Sequence, residues 1–152
     1  MYNHAPQDYT CPICIALDGN ENDDTWIKQA DIFYKDDKVA ALINSKFLVS
    51  NPGHVIVVPL EHYENLYELP EDISHRIIEV SKMVALAMKK ARKCDGITVR
   101  QNNEPASEQH AFHYHMHLVP RFNNDEFTLN DETYVSDPGD RIPYAQELKK
   151  YL

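Results

Sequence analysis

His110-Ala111-Phe112-His113-Tyr114-His115-Met116-His117-Leu118-Val119-Pro120 places three histidines at alternate positions. In a β-strand, residues two apart share a face. The spacing therefore predicts His113, His115 and His117 on one side of a strand spanning 112–119, with Phe112, Tyr114, Met116 and Leu118 on the other. The apolar side can pack on a core. Imidazoles are costly to bury unless each finds a hydrogen bond, a metal or a phosphate, so the row points to chemistry rather than packing. Two chemistries fit it. The rings could bind a metal with open positions, or one ring could attack phosphorus while its neighbours orient it and neutralise the phosphate. A histidine nucleophile needs its attacking nitrogen unprotonated, with the other nitrogen held by an acceptor.

Outward from this stretch, the chain reads as alternating strands around one long helix. Ile32-Phe33-Tyr34, the charged turn Lys35-Asp36-Asp37-Lys38 and Val39–Ile43 form a predicted hairpin. Asn51-Pro52-Gly53 is a turn signal, and it leads into the β-branched run Val55-Ile56-Val57-Val58, which stops at Pro59. A helix is predicted over about 70–93, with Pro70 in its first turn and Glu71 and Asp72 complementing its dipole. Ile73, Ile77, Val80, Val84 and Met88 make one apolar stripe, which is core. Lys89, Lys90, Arg92 and Lys93 crowd its end, and Gly96 lies beyond it. Gly96–Arg100 is the next strand, and the polar loop 101–110 delivers the chain to the histidines. The order implies an α+β fold with a mainly antiparallel sheet. Residues 1–10 are expected to be loose. Pro138-Gly139-Asp140 reads as a turn, and 144–151 as a short amphipathic helix in an acidic extension from 123 to 152. Trp26 and Tyr34 could support a purine ring, but packing in the core is the expectation for both.

The 152 residues suit one domain, with 43 % hydrophobic content that indicates a globular chain. A formal charge of −9, from 24 acidic and 15 basic residues, argues against nucleic-acid and anionic-membrane partners. An anionic ligand must then be held by a local site. No apolar run approaches the ~20 residues that span a bilayer, and the start lacks a signal-peptide pattern. Three cysteines make a disulfide framework improbable, so a reducing cytoplasm is the expected home. Cys11-Pro12-Ile13-Cys14 alone supplies only two soft metal ligands, and it equally fits free thiols or a redox dithiol. Cys94 is expected to be a plain thiol, and His4 and His75 carry no signal.

His113-Tyr114-His115-Met116-His117-Leu118-Val119 resembles the His-φ-His-φ-His-φ-φ signature of the histidine triad (HIT) superfamily. Cys11-x-x-Cys14, Pro52-Gly53-His54-Val55-Ile56-Val57-Val58-Pro59-Leu60-Glu61-His62 and Pro120-Arg121 are similar to the zinc-bearing bacterial branch, in order and spacing. The resemblance covers about 11–122. It implies a five-stranded, mainly antiparallel sheet with one long helix, and a homodimer. It also implies a nucleotide hydrolase or transferase acting at the α-phosphorus of phosphoramidates or dinucleoside polyphosphates. His115 would be the nucleophile, with His117 near the phosphate oxygens. Asn44 falls where an acidic ribose ligand is usual, and Asn102 and Gln109 match polar residues on the phosphate side. Structural zinc would be held by Cys11, Cys14, His62 and His113. Two positions depart from the pattern: Glu108 stands for a glycine, and His110 for a serine that meets the leaving group. His110 could act as a donor or face solvent. These departures also motivate a second reading, a nucleotide- or partner-binding module with little turnover. A third is a hydrolase whose zinc sits on the triad itself.

Overall fold

A computed structural model describes residues 2–127 and 132–152; residues 128–131 of the C-terminal extension lie outside the described set. The elements run α1 (Pro12–Leu17), β1 (Ile32–Lys35), β2 (Val39–Ile43), β3 (Lys46–Leu48), β4 (Val55–Pro59), α2 (Glu71–Arg92), β5 (Gly96–Gln101), β6 (Met116–Arg121), β7 (Thr133–Val135) and α3 (Pro138–Lys149). Five strands form one antiparallel sheet in the order β1-β2-β4-β6-β5. This is the expected α+β fold, with one long helix and a shorter one at the C-terminus.

The sheet is covered on both faces, because alternate side chains of β2 and β4 are apolar on each. Val39, Ala41, Ile43, Val55, Val57, Tyr114, Met116 and Leu118 face the α2 stripe of Ile73, Ile77, Val80, Val84 and Met88, joined by Ala145 and Leu148 of α3. On the opposite face Ala40, Leu42, Ile56 and Val58 meet Cys11, Ile13, Ala16, Leu17 and Ile27. This second layer is thin, since α1 has only six residues, and it leaves the rest of that face open for a site.

The histidine strand is shorter than its sequence suggests. β6 begins at Met116, so only His117 lies within it, and His113 and His115 lie in the segment leading in. The cause is Pro59, which closes β4: it has no N–H to extend the ladder. Its carbonyl accepts instead from the His113 ring, Nε2–H to O 3.0 Å. The Tyr114 N–H leaves the sheet to bond the Tyr63 carbonyl at 2.6 Å. The alternation survives nonetheless, for Tyr114, Met116 and Leu118 enter the α2 core.

Other boundaries shift for local reasons. Pro70 caps α2 from outside rather than sitting in its first turn, and Lys93, at φ 51°, takes the left-handed position expected further on near Gly96. Pro138-Gly139-Asp140 is the first turn of α3, not a free turn, because Asp137 Oδ1 accepts from the Gly139 N–H at 2.7 Å. β3 and β7 form a second small sheet that no periodicity announced. The N-terminal arm is tied down: the His4 N–H donates to Glu64, and its ring pairs with Glu104 at 2.9 Å.

The Asn51-Pro52-Gly53 turn is where α3 docks. Gly53 has φ +76°, and a Cβ there would stand 2.6 Å from the Tyr144 ring. The Arg92 guanidinium lies 4.5 Å over that ring and donates to the Pro52 carbonyl at 3.2 Å. Gly53→Ala is expected to lower stability by about 1–3 kcal/mol, from the backbone conformation alone, plus the displacement of Tyr144. Urea unfolding followed by circular dichroism measures it.

Candidate active site and metal centre

Two clusters lie back to back at the point where β6 begins. The first contains Cys11, Cys14, His62 and His113, whose ligand atoms all fall within 4.8 Å of one another. Cys11 caps α1 with its sulfur, accepting from the Cys14 N–H at 3.4 Å, so the helix turn itself brings the two sulfurs together. His113 Nδ1 stands 3.4 Å from each sulfur, and His62 Nδ1 is 3.3 Å from that of Cys14. A tetrahedral zinc with ordinary Zn–S and Zn–N bonds separates S and N by about 3.6 Å. The donor set fits that ion. The His113 Nε2–H bond to Pro59 fixes its tautomer and leaves Nδ1 free to ligate. Burial, and then Cys11, push the Cys14 thiol up; a divalent cation is what stabilises two adjacent thiolates. Among the described residues this is the one such cluster.

The second cluster lines a cavity of about 610 Å³. His115 and His117 from the strand entrance, His54 before β4, and Asn44 after β2 form one wall, with Arg100, Asn102, Glu108 and His110 beside them. The triad is therefore divided, with His113 turned toward the cysteines and the other two toward the cavity. The rings step along the wall, His115 to His117 at 4.8 Å between centroids and His117 to His54 at 5.5 Å.

His115 Nδ1–H donates to the His113 carbonyl at 2.7 Å. The proton is thus assigned to Nδ1, and Nε2 carries the free lone pair. Burial holds this ring below the usual histidine range, aided by Arg100 and His110, while the hydrogen bond to His113 opposes the shift. Burial also pulls His117 well below that range, with His115, His54 and Arg100 adding to it. His54 is pushed down to about 3 by burial, then by Arg100 and His115. All three are neutral at pH 7.

Asn44 is oriented without ambiguity. Its Oδ1 accepts from the Lys46 N–H at 3.2 Å, so its Nδ2 must donate to His54 Nε2 at 2.7 Å. His54 then carries its proton on Nδ1. Among the described residues, that atom and His117 Nδ1 are both buried without a hydrogen-bond partner. Buried polar atoms left in this way are rare, and here both belong to rings lining the cavity.

Gln109 does not line the cavity. It is buried, donating to the Glu64 and Ala111 carbonyls at 2.6 and 3.2 Å and accepting from the Glu104 N–H at 2.7 Å. It braces a loop in which Glu104 and Glu108 both hold positive φ, 67° and 68°. Asn102 does line the cavity, and its amide bonds the Ser107 carbonyl. Trp26, expected in the core, is 53 % exposed and lines the cavity, with the Lys46 ammonium 5.4 Å from its ring. Tyr34 lies elsewhere, bonded to Asp36 and Arg76. Lys46 and Arg100 were not assigned to the site from sequence, because neither shares a motif or a period with the histidines; Trp26 takes the less expected of its two readings, a place on the cavity wall.

The triad and its setting agree with the comparisons. A HIT domain matches residues 27–124, and the chain belongs to the histidine triad family. An uncharacterized HIT-like protein of Saccharolobus solfataricus is 34 % identical over 121 residues, 80 % of this chain and 81 % of that one. A bis(5'-adenosyl)-triphosphatase of Saccharomyces cerevisiae is 34 % identical over 92 residues, 60 % of this chain and 44 % of that protein. The crystal structure of a Hit-like protein involved in cell-cycle regulation from Bartonella henselae matches with TM-score 0.81 at 28 % identity, covering 98 % of this chain and all 100 % of the other. A Zn-bound histidine triad family protein from Mycobacterium smegmatis shares the fold, with TM-score 0.77 at 24 % identity over 93 % of this chain and 92 % of that one.

Gln109→Leu is expected to destabilise by about 1–3 kcal/mol per buried polar group it strands. Chemical denaturation tests this, and the Glu104 N–H should exchange faster with solvent.

Proposed function

We propose that the protein is a nucleotide hydrolase or nucleotidyl transferase that acts at the α-phosphorus through His115. The observation that carries this reading is the hydrogen bond from His115 Nδ1–H to the His113 carbonyl at 2.7 Å, on a ring that lines the cavity. It leaves an unprotonated Nε2 on a neutral imidazole. Nε2 attacks phosphorus, the N–P bond forms, and the leaving group departs with its bonding pair. His110, on the same cavity, supplies the proton the leaving group needs. Water, or another acceptor, then attacks phosphorus and passes its proton to His110, which restores it, and the N–P bond breaks with its electron pair returning to His115 Nε2. His117 and His54 line the same cavity wall, where His117 would meet the phosphate oxygens. The triphosphatase relative supports dinucleoside polyphosphates as one substrate class, and nucleoside phosphoramidates are the other.

Asn44 serves this wall through His54 rather than through charge. Gln109 acts at one remove, by holding the loop that carries Asn102, Glu108 and His110. Zinc at Cys11, Cys14, His62 and His113 is structural in this reading. Four protein ligands close its coordination and leave no open position for chemistry. A two-fold homodimer belongs to the same proposal, with β5 as an edge strand open to pairing; light scattering at micromolar concentration checks it.

His115→Ala is expected to abolish turnover of adenosine phosphoramidate and diadenosine polyphosphates while nearly sparing AMP affinity, since the lost interaction exists mainly in the transition state. Mass spectrometry should find a nucleotidyl adduct on His115 in the native protein. Near-native kcat in the variant overturns the mechanism. Retained binding without turnover in the native protein favours the binding-module reading.

Metal analysis of protein purified without added zinc should give about one ion per chain, and chelation should lower Tm. His113→Ala should therefore cost stability as well as rate.

A further inference from the structure

The matched domain covers residues 27–124, yet the cavity is walled by residues on both sides of it. Asp24, Thr25 and Trp26 contribute from before the domain and Thr133 from after it. These parts converge on one buried cation. Arg141 of α3 is fully buried, as is Asp31, which accepts from Arg141 Nε at 2.9 Å. Arg141 Nη2 donates to the Trp26 carbonyl at 2.8 Å, and Nη1 donates to the Ser136 carbonyl at 2.8 Å and to Ser136 Oγ at 3.3 Å. Ser136 in turn donates to the Ser45 carbonyl from both N and Oγ, each at 2.9 Å. One guanidinium thus grips Trp26 directly and, through a single residue, the backbone between Asn44 and Lys46.

Burying a cation is costly even when it is paired, and apolar packing by Ala145 and Leu148 already docks α3. What the guanidinium adds is direction: a rigid fork of donors reaching four acceptors on three residues at once. The segments it joins carry the exposed Trp26 ring and the Lys46 ammonium. This wall stands at the far end of a chain of contacts that starts at His115 and runs through His117, His54 and Asn44.

We propose that Arg141 is a positioning residue for the substrate cavity. It fixes the Trp26–Lys46 wall, against which the nucleoside end of the substrate rests with its planar heteroaromatic ring on the indole. The occupant rests on the function proposed above; the positioning of Trp26 does not. Because Trp26 is the single tryptophan of the chain, its fluorescence separates the two.

Three variants are compared with the native full chain. R141M combined with D31N removes the cation and its counter-charge together, so no charge is stranded; R141K keeps charge but loses the fork; S136A removes the hydroxyl that links Ser45 and accepts from Arg141 Nη1, and leaves the Ser136 backbone bonds in place. Acrylamide quenching without ligand, AMP titration followed by Trp26 emission, and steady-state turnover of adenosine phosphoramidate are measured on each. In the native protein, AMP should change Trp26 emission. In the folded double variant Trp26 should become more accessible to acrylamide, and AMP Kd and substrate KM should rise about tenfold with a smaller change in kcat, as expected for lost binding rather than lost transition-state contact. R141K should share the direction, and S136A should show it in weaker form. A folded double variant with native quenching and native Kd overturns the proposal. If the double variant does not fold, native behaviour in both R141K and S136A overturns it equally. Native protein that neither responds to AMP nor turns over substrate removes the proposed function and the nucleoside occupant with it. Acrylamide accessibility still decides whether Arg141 positions Trp26.

Discussion

His113 carries more of the site than any other residue, because its three polar atoms hold three different parts of the chain. Its Nε2–H goes to the Pro59 carbonyl at the end of β4, its Nδ1 stands between the sulfurs of Cys11 and Cys14, and its carbonyl accepts the Nδ1 proton of His115. The first bond replaces a ladder bond that a proline cannot make. The second attaches the N-terminal helix to the sheet. The third selects which nitrogen of His115 is free. A shift in His113 therefore reaches the nitrogen proposed to react through one peptide unit, and misplacements of about 1 Å at a reacting group cost on the order of 10² in rate.

The electrostatics of the cavity follow from a similar economy. A chain with net charge −9 repels phosphate at a distance, so attraction must be built locally. Lys46 and Arg100 line the cavity, and Arg100 helps keep His54, His115 and His117 neutral. Neutral imidazoles suit both tasks proposed here. His115 needs a lone pair to attack, and a neutral ring beside it can still offer an N–H to a phosphate oxygen. Protonation at His115 Nε2 would block attack, so a low-dielectric wall of neutral rings beside fixed cations serves better than a cluster of imidazolium ions.

Much of this was legible in the chain. The stripe Ile73, Ile77, Val80, Val84, Met88 has a helical period, and the runs at 39–43 and 55–58 have strand composition; both patterns are local, and both elements formed where expected. The alternation at 114–118 correctly separated the core face from the histidine face even though the regular strand starts only at Met116, because side-chain direction depends on local backbone and pairing depends on a partner; Phe112, expected on the core face, instead stacks edge-on with Tyr9. What failed to show in the sequence depends on distant partners. Pro59 shortens β6 from 54 residues away, and β3 pairs with β7 across nearly ninety positions with three residues each. Trp26 looks like a core residue by type, yet its ring is exposed and its carbonyl accepts from the buried Arg141, 115 positions later. Gln109 resembled a phosphate-side residue by motif, but three buried backbone groups claim its amide first.

The two faces of the sheet divide the work between stability and function. The α2 face buries a 22-residue helix along the central strands, and it gains enough apolar contact to hold the strands without help. The other face is covered by a six-residue helix, too short to persist on its own, and its Pro12 and Ile13 line the cavity. Ile13, Ala16 and Leu17 bury part of that helix, and its first turn depends on Cys11 and Cys14. In the proposed zinc-bound form the ion joins that first turn to His62 and His113, so it secures the part of the cavity nearest His115, while Arg141 secures the part nearest Trp26. The thin layer is then braced at both ends by buried charge rather than by apolar area. That is a reasonable exchange for a face that must stay open to solvent-borne substrate, since more apolar cover would fill the cavity it protects.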